Sequence, residues 1–464
     1  MKPLRFVAGA LALAALGCSS LEPNYQRPEL QLPEAYSAAA HEAAIADAWW
    51  TGFGDPALDR LVAEALAANQ DLALAVARVD EARARVGLAD ADRYPTVSAV
   101  GSAARLRFSG DNPQIPPGID LTTSSHRATV AVAYEADFWG RYKSGSIAAR
   151  ADLLSTVAGE RTVRLALAAE VVTGYLDLLT FERQREVSVS TVESRRGAVR
   201  LQRARFDAGT ISELDLAQAQ AELAAAEATV PVFERAVRQT EDRLAVLLGR
   251  VGGRVERSAT LDAVSLPEVP VGLPSQLLAR RPDVAGAEHG LIAANARVAQ
   301  ARAAYFPLIA LTAEAGSESL ELADLLSSGT GVWQAVLSVV QPIFTAGRTK
   351  RQVEAAQARE RQALAVYTGA VQRAFAEVED ALVGRTTSVA EREALARQVE
   401  ARTRARRLAN LRYEAGDSSY LEVLDADRNL FQAELALTQA RRDELAAAVG
   451  LFQALGGGWA SEAR

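Results

Sequence analysis

The sequence predicts a mainly α-helical chain with a membrane-crossing β component, assembled from two tandem homologous halves. Three observations lead there. Arg205-Phe206-Asp207-Ala208-Gly209 returns as Arg412-Tyr413-Glu414-Ala415-Gly416, 207 positions later. The same offset relates Leu248-Gly249 to Leu455-Gly456 and Gly140-Arg141 to Gly347-Arg348, so whole halves are repeated rather than a short motif. Hydrophobic residues make up 49% of the chain but aromatics only 6%, the Ala-rich makeup of long, closely packed helices. In each half the helical period gives way to two short stretches of period two.

The chain opens as an export signal over 1–17. Lys2 and Arg5 precede an apolar stretch from Phe6 to Leu16, too short to span a bilayer as a mature helix. It ends at Ala15-Leu16-Gly17-Cys18. Cys18 is the only cysteine, which excludes an intrachain disulfide. A lone Cys after a small residue at this place resembles a lipoprotein cleavage box, with Ala15 where such boxes usually carry Leu. Lipidation of Cys18 would anchor the mature N-terminus, at about 0.8 kcal/mol per buried methylene. Residues 18–54 hold Pro23, Pro28 and Pro33 and read as an extended, lipid-anchored segment.

Half one spans 55–250. Asp55 is a suitable N-cap with Pro56 at the first helical position, and a helical pattern runs on to about Asp92. Tyr94-Pro95 stops it. Strands are expected over about 96–108 and 129–138, joined by a polar loop containing Gly110, Pro113, Pro116, Pro117 and Gly118. A long helix over 144–206 follows, then a tip over 207–212 and a returning helix. A Gly/Pro-rich linker occupies 251–274. Half two, 275–456, repeats the scheme: a helix from about Ser275 to Tyr305, strands over 308–316 and 332–344, a long helix over 349–413, a tip over 414–419 and a return helix over Tyr420 to Ala454. Residues 457–464 form a tail.

Strands of this length cross a bilayer at a tilt. Four strands cannot close a barrel, and an open sheet in lipid leaves backbone groups unpaired. Three chains would supply twelve, so a homotrimer is expected.

Several motifs, in order, give the chain its resemblance. They are Trp49-Trp50-Thr51-Gly52-Phe53-Gly54-Asp55-Pro56, then Tyr134-Glu135-Ala136-Asp137-Phe138-Trp139-Gly140-Arg141, then Arg280-Arg281-Pro282-Asp283-Val284, and the two tips around Gly209 and Gly416. The chain resembles the outer membrane factors of the TolC/OprM type, in the NodT-like branch of efflux lipoproteins. The resemblance covers essentially the whole mature chain. It implies a trimeric twelve-stranded barrel in the outer membrane, four strands per chain, continued by a long α-helical barrel in the periplasm. It implies outer-membrane lipid around the barrel, a periplasmic adaptor (a membrane fusion protein) and an inner-membrane pump, of RND type, as partners. Ser19 after the cysteine fits sorting to the outer membrane.

At the second tip the resemblance implies a periplasmic gate formed by Tyr413, Glu422 and Asp425. The adaptor-binding tips would comprise Gly209, Asp215, Gly416 and Ser418. At Ser418 TolC-like members carry a basic residue, so a clasp made through that position is missing here. A net charge of −7 without a basic stripe argues against nucleic acid as a partner. His41, His126 and His289 lack metal-ligand spacing, and Gly456-Gly457-Gly458 does not precede a helix, so it is no phosphate loop. No cofactor, metal site or catalytic constellation is expected, and the chain does not read as an enzyme. The expected function is a passive exit duct for drugs and small molecules. Two alternatives share parts of the pattern: a type I protein-secretion duct, and a periplasmic coiled-coil scaffold without a pore. The cysteine box favours efflux over secretion, and the membrane-length strand pairs argue against a scaffold.

Overall fold

The computed structural model describes residues 23–30, 33, 36, 46–109, 116, 118, 120–270, 277, 278 and 280–457. Cys18, the signal region, His41, Pro113, Pro117 and the tail from 458 lie outside them. In chain order the elements are a short 3-10 turn Trp49–Phe53, α1 Pro56–Ala68, α2 Gln70–Ala91, β1 Thr96–Arg107 and β2 Thr122–Glu135. There follow α3 Arg141–Asp207, α4 Glu213–Leu247, α5 Pro282–Ala303, β3 Leu308–Ser319, β4 Gly331–Val340, α6 Arg348–Glu414 and α7 Tyr420–Ala454. Helices α3 and α6 are each 67 residues long, about 100 Å at 1.5 Å per residue. No helix among the described residues is long and apolar enough to cross a membrane.

The chain forms two compact units. One, residues 79–156 and 287–367 with the segment up to 28, holds the sheet. Its order is β1-β2-β3-β4, antiparallel throughout. The register puts Val130, Ala315 and Trp333 in one row and Tyr134, Leu311 and Leu337 in another. That face is apolar, and Trp333 is 81% exposed in the single chain. The opposite face carries Arg127, Thr129, Thr312, Glu314, Glu318, Gln334 and Ser338. An apolar face and a polar face alternating with period two is the pattern of a barrel wall between lipid and water. Edges β1 and β4 stay open in one chain, which is the physical demand for further copies.

Four strand limits differ by three residues or more from the sequence reading. β2 begins at Thr122 rather than Thr129, because Thr122 to Ser125 pair with Arg107 to Ala104 despite their loop-like polarity. It ends at Glu135, short of Phe138. There Trp139 donates to the Pro307 carbonyl at 2.7 Å, and Gly140 turns at φ 71° into α3. β3 runs three residues past 316, to Ser319, and β4 stops at Val340, since Pro342 has no N–H for a ladder. The helix expected to run unbroken to Asp92 is two, α1 and α2. Asn69 interrupts it, accepting from Leu72 N at 3.0 Å and donating to the Leu247 carbonyl at 3.0 Å. The helix expected over 275–305 is interrupted at Arg281: Leu277, Leu278 and Arg280 are helical, and α5 starts afresh at Pro282, which has no N–H to continue the preceding turn.

The second unit, residues 29–78, 157–286 and 368–464, holds the remaining helical parts. Its core is pinned by Asp55. This carboxylate is buried, caps α1 by accepting from Ala57 N at 2.9 Å, and accepts from Tyr175 Oη at 2.6 Å and from Ser258 Oγ. Burial, then the Asp55 hydrogen bond, pushes the Tyr175 phenol well above its ordinary range. Trp49 stacks on Phe452, with centroids 5.0 Å apart. The Trp49-to-Pro56 segment is therefore a packing motif.

Candidate functional site: the two helical tips

Both tips lie in the second unit. Each forms where a 67-residue helix reverses into a 35-residue one. Gly209 and Gly416 sit at φ 69° and 81°, the left-handed turn that ends each long helix. A Cβ at either would meet nothing within 4 Å, so only the backbone conformation selects glycine there.

The tips are homologous but not equivalent. In the first, Ser212 and Asp215 form a reciprocal capping box on α4, so Asp215 is engaged in its own helix N-terminus. Glu422 stands at the matching place of the second tip, yet Ser419 makes no side-chain cap. Glu422 instead accepts from Arg412 at 2.9 Å. The longer Glu side chain reaches across the turn where Asp215 reaches back. Asp425, one turn further along α7, accepts from Asn429 Nδ2 at 2.9 Å. Ser418 Oγ is buried without a hydrogen-bond partner.

Tyr413 joins the two tips. Its hydroxyl accepts from Gln202 Nε2 at 3.1 Å, linking α6 to α3. Its ring packs on Tyr420 at 5.3 Å, and the Arg205 guanidinium lies 5.2 Å above it. Ala219, Tyr420, Val423 and Leu424 form the apolar cluster beneath, with Val199, Ala409 and Tyr413 against it. Burial, above all, pushes the Tyr420 phenol up from its ordinary value. Further along, Arg428 reaches Glu222 at 2.7 Å and Arg406 reaches Asp427 at 2.5 Å. A cleft of about 420 Å³ opens between the tips, lined by Gly209, Thr210, Ser212, Asp215, Tyr413 and Tyr420. α7 thus presents Val423 and Leu424 inward and Glu422 and Asp425 outward.

The structure therefore brings Tyr413, Gly209 and Asp215 to one cleft and puts Glu422 and Asp425 on the exposed side of α7. Sequence reasoning missed Gln202, Arg205, Arg412 and Tyr420. A signal existed for two of them, since Arg205 and Arg412 open the repeated segment. Their different partners, an aromatic ring and a carboxylate, depend on the fold.

A four-stranded sheet with one lipid-type and one water-type face, together with paired helices of about 100 Å, defines an outer-membrane channel protein. The outer membrane efflux protein family model matches residues 61–250 and 273–457, one match per half. The chain belongs to this family. It is 38% identical over 462 residues to the toluene efflux pump outer membrane protein TtgC of Pseudomonas putida, covering 97% of this chain and 95% of that one. It is 33% identical over 467 residues to the cation efflux system protein CusC of Escherichia coli, covering 99% and 100%. A crystal structure of a membrane protein from Pseudomonas aeruginosa superposes with a TM-score of 0.87 at 34% identity, covering 96% of this chain and 98% of that one. The chain is an outer-membrane component of an efflux system and not an enzyme. Its fold is that of the trimeric outer-membrane efflux channels, and its place is the outer membrane, with the helical part in the periplasm.

Proposed function

We propose that the chain is a passive exit duct for small, largely apolar organic molecules, fed by an RND-type pump and gated at its second tip. The observation that carries the gate is the Tyr413–Gln202 hydrogen bond over the Tyr420 cluster. It ties the α6–α7 tip to α3, so the tip must break it to swing outward. Because Arg412 neutralises Glu422, Asp425 supplies the uncompensated charge at the opening. Gly209 and Asp215 border the cleft, and together with Gly416 and Ser418 at the second turn they form the surface offered to the adaptor. Cys18 carries the lipid anchor. The organic cargo is supported by TtgC, named for toluene. CusC, named for cations, is also similar, but a single Met in 464 residues provides no thioether ladder for soft metals.

The test is complementation. In toluene-tolerant Pseudomonas putida lacking TtgC, the chain should restore tolerance and co-purify with the adaptor. Assembly with the adaptor while tolerance stays lost would overturn the cargo reading. Absence of co-purification would overturn the docking.

A further inference from the structure

The sheet carries few charges, and their placement is uneven. In β1 to β4 they are Arg105, Arg107, His126, Arg127, Glu135, Glu314 and Glu318. Arg127, Glu314 and Glu318 all lie on the polar face, running from Glu314 near the middle of β3 to Glu318 beside its hairpin loop, at the end of the sheet away from α3 and α6. This is the end facing the cell exterior. Arg127 sits opposite Glu318 in the β2–β3 register, with 3.9 Å between their charged atoms. It also pairs with Glu314, four residues along β3, so its side chain lies along the wall between two carboxylates. Arg127 Nε is buried and unpartnered, which fixes the guanidinium by its outer nitrogens alone. Ser125 Oγ donates to Glu318 at 3.3 Å. Gly316 stands between the two acids. A Cβ there would come within 2.1 Å of the Ala128 carbonyl oxygen, so the strands are pinched where the three charges meet. One arginine serves two carboxylates, and Glu318 has the looser share of it.

We infer that Arg127, Glu314 and Glu318 form a charged collar near the outer mouth of the barrel, which favours cationic solutes over anionic ones. Three chains bring three arginines and six glutamates around one axis, leaving a formal excess of one negative charge per chain. Inside a narrow pore with low-dielectric walls such an excess raises the local cation concentration. The collar acts on solutes passing the barrel and is independent of the periplasmic tips. It rests on the trimeric barrel and on the polar face being the lumen.

Thr312 lies on the same face, one lumen position beyond Glu314 toward the helices. A Thr312→Cys reporter in a Cys18→Ala background gives a single thiol. Purified trimers, verified by native mass, are reacted with a cationic and an anionic methanethiosulfonate of similar size. The cationic reagent should react faster. Glu318→Gln should lower the ratio of rates by about threefold, and Arg127→Gln, which exposes both acids, should raise it by a similar factor; both effects should shrink at high salt. If Arg127→Gln does not yield trimers, Glu318→Gln decides alone. An unchanged ratio in Glu318→Gln trimers overturns the collar. A reporter that reacts with neither reagent puts this face in lipid and overturns it too. A missing trimer in the parent protein would instead bring down the barrel on which the collar rests. The readout needs no open periplasmic gate, so it does not follow the fate of the tip assignment.

Discussion

Replacing Tyr413 with Phe removes one oxygen from the link between α6 and α3 and leaves the ring in place. Gln202 is 1% exposed, so its amide cannot turn to water for a substitute. A buried polar group left short of a partner costs about 1–3 kcal/mol. The low end of that range, about 1 kcal/mol per chain, is the conservative figure. The tilted ring contact with Tyr420 and the Arg205 contact survive in Phe. If three chains open together, about 3 kcal/mol is withdrawn from the closed state, on the order of a hundredfold in the closed-to-open ratio. Open probability in planar bilayers should rise accordingly. Cells carrying the variant should become sensitive to large polar antibiotics that the outer membrane normally excludes. Tyr413→Ala should go further by emptying the apolar cluster. Should Tyr413→Phe leave open probability at the parent value while Tyr413→Ala raises it, packing alone holds the tip and the hydrogen-bond latch is refuted.

Three further outcomes are expected. Cys18→Ala should abolish labelling by radioactive palmitate while trimers still form; a parent protein that never labels would remove the lipid anchor. Gly416→Val forces a β-branched residue into φ 81° at a cost of about 1–2 kcal/mol, with no steric clash to add to it. Adaptor co-purification should fall with trimers intact, and unchanged binding for both Gly416→Val and Gly209→Val would contradict the docking role of the tips. Asp425→Asn should lower cation selectivity, and Glu422→Gln should lower it as well by releasing the Arg412 charge. If the Glu422→Gln, Asp425→Asn double variant keeps its selectivity and changes only adaptor affinity, the acids face the adaptor instead.

The duplication made much of this legible. Two copies of one segment located both tips, because a glycine ending each long helix repeats along with the helix. Strand faces were legible in β4, where Trp333, Leu337 and Val339 alternate with Gln334 and Ser338. They were not legible at the start of β2. Thr122 to Ser125 have no hydrophobic alternation, and only pairing with β1 makes them a strand. The break at Asn69 was hidden because its stop signal is a hydrogen bond to Leu247, 178 positions away. The unequal tips were hidden for a related reason. Asp215 and Glu422 match in the alignment of the halves, and one methylene decides whether the carboxylate caps its own helix or crosses to Arg412. Charge pairs such as Arg127 with Glu314 depend on the β2–β3 register, which no local pattern encodes.

The central claim is that three copies of this chain enclose one water-filled path through the outer membrane. The most direct measurement is the native mass and conductance of the same preparation, extracted from outer-membrane fractions and reconstituted in planar bilayers. A particle of about three times the 49.4 kDa chain, showing discrete conductance steps that increase with Tyr413→Phe, is the predicted result. A monomer, or a trimer that never conducts even with the tip latch removed, would contradict it.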